Sequence, residues 1–196
     1  LRCLNGAHST LAYLGQLTGR ETVAEAMQLP LITALLDPLW VEIREVLVAP
    51  KGVDAAAYVE SLKQRFCNPA IKHRTAQIAM DGSQKLPQRL LATLRERIAA
   101  GLTSPSMATA IAAWMHFAVK TAHTPGGKLN DPLSDDILFQ ARISLQPNEI
   151  VLNLLSIQKI FGTDLMAHRG FVAELQNAFC DLARHPEVAT ATQIAL

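Results

Sequence analysis

Along nearly the whole chain, apolar residues recur at intervals of three and four, and no stretch of useful length alternates apolar with polar. The first pattern is a helix face; the missing one is a half-buried strand. This feature confines the chain to an all-α fold of about eight to ten helices, with at most a short hairpin. Leu11, Leu14 and Leu17 mark one stripe. Leu35, Leu36, Leu39, Trp40, Ile43, Val46 and Leu47 mark another, on a helix expected from Leu31 to Val48. Pro30 suits its first turn, Pro38 should kink it, and Pro50-Lys51-Gly52 should end it. Asp54 should cap a helix bearing Tyr58, Val59, Leu62 and Phe66. Ser83 to Ala100 reads as one helix with Ser83 as its cap, Pro87 in its first turns and Gly101 beyond its end. Ser104-Pro105 has the cap-then-proline order of a helix start. The alanine-rich, nearly uncharged segment from Ser106 to Val119 should be the most buried. Asp131-Pro132 and Gln146-Pro147 should open two more helices, the second closed by Gly162, and Phe171 to Ala183 forms the last.

With 196 residues, 49% of them apolar, the chain can bury one core unaided, and no repeat or low-complexity stretch divides it. It reads as a single domain over residues 1–196. Net charge is +1 and aromatics are 5%, so neither a basic footprint nor a stacking platform for nucleic acid is present. No apolar run reaches the roughly 20 residues of a membrane helix, and no signal peptide is visible. Cys3, Cys67 and Cys180 are scattered, as reduced thiols of a cytoplasmic protein would be. The chain starts at Leu1, inside an apolar segment, and reads as a piece of a longer protein.

The six histidines include no metal-binding pair at i+3 or i+4 and no H-E-x-x-H. His73, His116, His123, His168 and His185 stand alone, as structural or surface residues do. No phosphate-binding glycine loop and no G-x-S-x-G elbow occurs. Two segments hold more polar chemistry than helix packing needs. In Leu4-Asn5-Gly6-Ala7-His8, Asn5 and His8 share a helix face. They form either a capping turn, or an amide and imidazole able to polarise a carbonyl or hold a hydroxyl. In Ile78 to Arg89, Lys85 and Arg89 lie four apart. They are either solvated cations of a capped helix or an anion- or hydroxyl-binding cluster.

Leu4-Asn5-Gly6-Ala7-His8 with Leu11-Ala12-Tyr13-Leu14-Gly15 resembles the start of the C-terminal domain of the polyol-specific long-chain dehydrogenases, the mannitol dehydrogenase and fructuronate reductase family. Phe66-Cys67-Asn68-Pro69, His73-Arg74-Thr75 and the run Gln77 to Arg89 look closest to its fructuronate reductase branch, also called mannonate oxidoreductase. Ala113-Trp114-Met115, Asn130-Asp131-Pro132-Leu133 and Lys159-Ile160-Phe161-Gly162 extend the resemblance along nearly the whole chain.

The resemblance implies a helical substrate-binding and catalytic domain that follows an N-terminal Rossmann-like domain binding NAD(H). It implies no metal. In the family motif K-x-x-x-x-N-x-x-H, Asn5 and His8 match the asparagine and histidine, and the general acid/base lysine falls one residue before Leu1. Lys85 matches a substrate-contacting lysine, with Arg89 and Arg74 as further substrate-binding candidates. The mannitol branch is expected to carry arginine where Gln77 stands, which favours the uronate branch. The implied activity is carbohydrate oxidoreduction between a hexuronate ketone and its aldonate alcohol, with a mannitol or arabinitol dehydrogenase as alternative. A helical interaction domain without catalysis is the competing reading from another class. Asn5, His8 and Lys85 should meet in one cleft.

Overall fold

Helices form where the periodicity places them, and in several places besides. The computed structural model describes residues 1–48, 52 and 54–192. Its helices are α1 (Arg2–Leu17), α2 (Val23–Ala26), α3 (Pro30–Glu45), α4 (Ala55–Cys67), α5 (Thr75–Ala79) and α6 (Gly82–Leu86). A π-helical turn (Pro87–Leu91) joins α6 to α7 (Ala92–Ala99). Then come α8 (Pro105–His123), α9 (Ser134–Arg142), α10 (Pro147–Leu155), α11 (Gln158–Phe161), α12 (Asp164–Ala167), α13 (Arg169–Arg184) and α14 (Pro186–Thr192). The helices outnumber the expectation because α2, α5, α6, α11 and α12 have four or five residues each. One turn is too short to display a period of 3.6. Among the described residues the β pairing is one isolated antiparallel bridge, Thr22 to Arg74.

α8 is the central rod. It packs against α13, α1, α9 and α3, and Met107, Ala108, Ile111, Ala112, Trp114, Met115 and Ala118 on it are buried. Its N-terminus is capped from a distance. The buried Glu42 carboxylate of α3 accepts from the Ser106 N–H at 2.7 Å and the Met107 N–H at 2.9 Å. Ser104, the expected cap, uses its hydroxyl to accept from Arg97 Nε at 3.0 Å. The buried Arg97 guanidinium also donates to the Glu42 and Thr103 carbonyls, each at 2.6 Å, and pairs with Glu45. A charge at the helix start also complements the macrodipole.

Three other expectations change. α3 runs on past Pro38 and ends at Glu45, and Pro50 and Lys51 lie outside the described residues. The helix expected from Ser83 to Ala100 widens at Pro87, whose missing N–H cannot pair with the turn before it. The Ala92 N–H donates to the Pro87 carbonyl, which closes the π turn. Ser83 is not the cap; Asp81 is, in the left-handed region at φ 54°. Asp131, expected to open a helix, clamps this start: one carboxylate oxygen accepts from Ser83 N–H at 2.7 Å, the other from Leu133 N–H at 2.9 Å. The following helix accordingly begins at Ser134.

Candidate active site

Asn5 and His8 sit inside α1, three and six residues past its first residue, Arg2. The Asn5 N–H donates to the Leu1 carbonyl at 2.9 Å, so Asn5 is helical, not a cap. The costly Gly6 between them has a packing reason. A Cβ there would lie 3.0 Å from Ile43 Cδ1 and 3.7 Å from the Arg89 carbonyl oxygen. Glycine thus lets the Ile43 side chain of α3 close on α1, while the π turn that ends the second motif lies at ordinary contact distance. Arg89 completes the junction, with Nη1 donating to Ser9 Oγ of α1 at 3.3 Å.

His8 is half-buried, with its Nε2 buried and without a hydrogen-bond partner among the described residues. Its ring lies 4.9 Å from that of Phe66 and 5.7 Å from that of His73, centroid to centroid. Burial, then the positive groups His73, Arg89 and Arg65, press its pKa down to about 4. At neutral pH the imidazole is therefore uncharged. Arg89 is half-buried, and desolvation lowers its pKa as well. Lys85 is half-buried and donates from Nζ to the Ile78 carbonyl at 3.2 Å. Burial and then Arg89 lower its pKa, while Asp81 and Asp131 oppose the shift. Arg89 is thus the charge that acts on both His8 and Lys85. The half-buried side-chain amide of Asn5, on the face of α1 that carries His8, forms no hydrogen bond among the described residues.

Arg74 is the outlier. It is exposed, its backbone bridges to Thr22, and its guanidinium makes no hydrogen bond or ion pair among the described residues. The residue beside it, His73, is the one that faces His8. His73 stands alone in sequence and is paired in space, and nothing in its spacing announces this. Phe66, Arg65 and Ser9 are likewise first seen here as neighbours of the site.

The second motif is tightly constrained behind the site. A Cβ on Gly82 would fall 2.6 Å from Trp114 Nε1 and 3.0 Å from the Tyr13 hydroxyl. That hydroxyl is buried without a partner, and burial raises its pKa. A cavity of about 180 Å³ opens on this side, lined in part by Met80, Gly82, Trp114, Lys128 and Asp131, and includes neither His8 nor Lys85.

No group of three His, Cys, Asp or Glu side chains among the described residues could hold a metal ion. The positive-φ glycines, Gly19, Gly52, Gly101, Gly126 and Gly162, do not stand between a strand and a helix as a dinucleotide cradle requires. The described residues do not by themselves fit the phosphates of NAD(H). No described helix is long and apolar enough to cross a membrane.

Residues 1–183 match the model of the mannitol dehydrogenase C-terminal domain. D-mannonate oxidoreductase of Escherichia coli is 39% identical over 93% of this chain and 38% of its own length. An uncharacterized oxidoreductase of the same organism, YdfI, is 35% identical over 100% of this chain and 40% of its own. The solved ternary complex of Pseudomonas fluorescens mannitol 2-dehydrogenase with NAD and D-mannitol superposes with a TM-score of 0.83, at 28% identity, over 97% of this chain and 38% of that one. The chain therefore spans about 40% of the length of the curated relatives it matches.

Proposed function

We infer the function from a premise those likenesses establish: the chain belongs to the mannitol dehydrogenase C-terminal domain family. In the full-length protein it acts as the substrate-binding and catalytic domain of an NAD(H)-dependent oxidoreductase, working on a secondary alcohol or its ketone. The observation that carries this reading is the unpartnered, uncharged His8 imidazole on the same helix face as Asn5, with Arg89 joining it to the second motif.

The roles follow from the chemistry of these groups. The Asn5 amide, free of other bonds, donates to the substrate oxygen on which negative charge develops. Neutral His8 offers one nitrogen to orient the reacting hydroxyl. Arg89 holds the two motifs together and adds fixed positive charge. Lys85, now turned onto the Ile78 carbonyl, exchanges that weak bond for a substrate carboxylate or hydroxyl. Arg74, exposed and apart, has the weakest claim to a substrate. NAD(H) supplies the hydride, and the N-terminal Rossmann-like domain of the same protein binds it. A lysine one residue before Leu1 exchanges the proton. The protein works in the cytoplasm and needs no metal, nucleic acid or membrane partner.

For the substrate we propose a hexuronate, interconverted with its aldonate, as with fructuronate and mannonate. Lys85, Arg89 and Arg65 place more positive charge about the site than a neutral polyol needs. The 39% identity to D-mannonate oxidoreductase supports this branch. The likeness to an enzyme solved with D-mannitol supports a polyol instead. Assays of the full-length protein with NADH against fructuronate, tagaturonate and fructose separate them. Preference for a uronate by tenfold or more in kcat/KM is expected, since a charge-assisted hydrogen bond is worth about 1.5–3 kcal/mol. A preference for fructose would place the protein with the polyol dehydrogenases, and no turnover of any ketose would leave the interaction-domain reading.

A further inference from the structure

We propose that His73 is a positioning residue of this site: its ring, packed edge-on against His8, fixes the plane of the His8 imidazole. The inference rests on reading His8 as the imidazole that faces the substrate.

The geometry is specific. The two ring planes cross at 77°, centroids 5.7 Å apart, an arrangement that sets the edge of one ring against the face of the other. Phe66 of α4 packs a second side of His8 at 4.9 Å and 41°. His8 is thus flanked by one ring from α4 and one from the turn that follows it.

His73 is itself held firmly. It belongs to the turn between α4 and α5, and its carbonyl accepts from the Val23 N–H at 3.0 Å while its N–H donates to the Ile71 carbonyl at 2.8 Å. Two residues on, the Thr75 N–H donates to the Glu21 carbonyl at 2.9 Å, and the Thr75 hydroxyl donates to the Arg20 carbonyl at 2.7 Å. Gln16 of α1 donates to that same hydroxyl at 2.8 Å. The turn is thus fastened to α1 and the segment that follows it, so His73 and His8 keep their relation.

The charges point the same way. The ionisable groups acting on His8 come from three elements: Arg65 from α4, His73 from the turn and Arg89 from the π turn, with no carboxylate among them. A proton on His73 opposes a proton on His8. Burial first, and these charges after it, keep His8 neutral, and its buried Nε2, which has no partner among the described residues, is left for the substrate.

The test uses the full-length protein with His73→Ala and His73→Phe. Ring-labelled histidine NMR follows the His8 titration, and steady-state kinetics with NADH and fructuronate give kcat and KM. In wild type His8 should titrate near 4. In both variants its midpoint should rise by roughly half a unit or more, since a neighbouring positive group is gone. His73→Ala should lower kcat on the order of tenfold with KM within about twofold, because the imidazole is no longer aligned. His73→Phe keeps a ring edge and should restore kcat to within about threefold of wild type. An unmoved His8 midpoint, or an unchanged kcat in His73→Ala, overturns the proposal. A wild-type protein that turns over no ketose sinks the functional reading instead, and the His8 midpoint then decides the role of His73 alone.

Discussion

At the scale of single residues, the deciding quantity is which groups are kept uncharged. His8 and His116 both have pKa values pressed down to about 4, chiefly by burial. His116 is fully enclosed, stacked on Phe179 at 3.9 Å, with Nε2–H donating to the Phe179 carbonyl at 2.9 Å. An unfolded histidine titrates near 6.5, so between about 6.5 and 4 the unfolded chain binds more protons than the folded one. Stability is therefore full above pH 6.5 and lost as pH falls toward 4. For His116 the loss is on the order of 3 kcal/mol, and half-buried His8 adds a smaller, solvent-screened share. Urea denaturation at pH 7 and pH 4.5 checks this, and a stability that does not fall would refute it. The candidates Asn5, His8, Lys85 and Arg89 stand out in the sequence as two motifs. His73 was not, because its partner lies far along the chain and only the tied turn between α4 and α5 brings them together.

Elements are set by contacts that periodicity does not encode. The face of α8 was readable from its alanines, but its cap comes from Glu42 on another helix. Glu42→Ala would strip two buried N–H groups of their acceptor, while Arg97 would keep both the residue-42 carbonyl and Glu45. A destabilisation of about 3 kcal/mol should follow, with Glu42→Gln milder, as read by denaturant midpoints. Equal, small effects for both would mean the cap does not hold α8. The π turn was unreadable for a related reason. Pro87 looks acceptable in a first turn and becomes a defect only because the helix had already begun at Gly82. Behind Gly82 the structure presses Trp114 and the Tyr13 hydroxyl, a crowding that periodicity does not encode. Gly82→Ala should cost about 1–3 kcal/mol through overpacking and loosen the second motif. Unchanged thermal stability in that variant would show that the site has slack.

For the whole molecule, the all-α class was plain from periodicity, whereas the placement of the two motifs together was expected only through the family resemblance. Where they meet, the Arg89 guanidinium of the π turn donates to Ser9 of α1, a bond between residues 80 apart that no local pattern states. The candidate site draws on α1, α4, the turn before α5 and the segment 81–89, with no phosphate cradle among the described residues. This chain alone should therefore fail to bind NADH at micromolar concentrations, and calorimetric binding in that range would contradict the division of labour proposed above. The most direct test of the central claim is the rate of NADH oxidation by the full-length protein with fructuronate, wild type against His8→Ala. The account predicts turnover in wild type and a loss of about 10²-fold or more in kcat/KM in the variant. Wild-type turnover left intact by His8→Ala would show that the chemistry lies elsewhere.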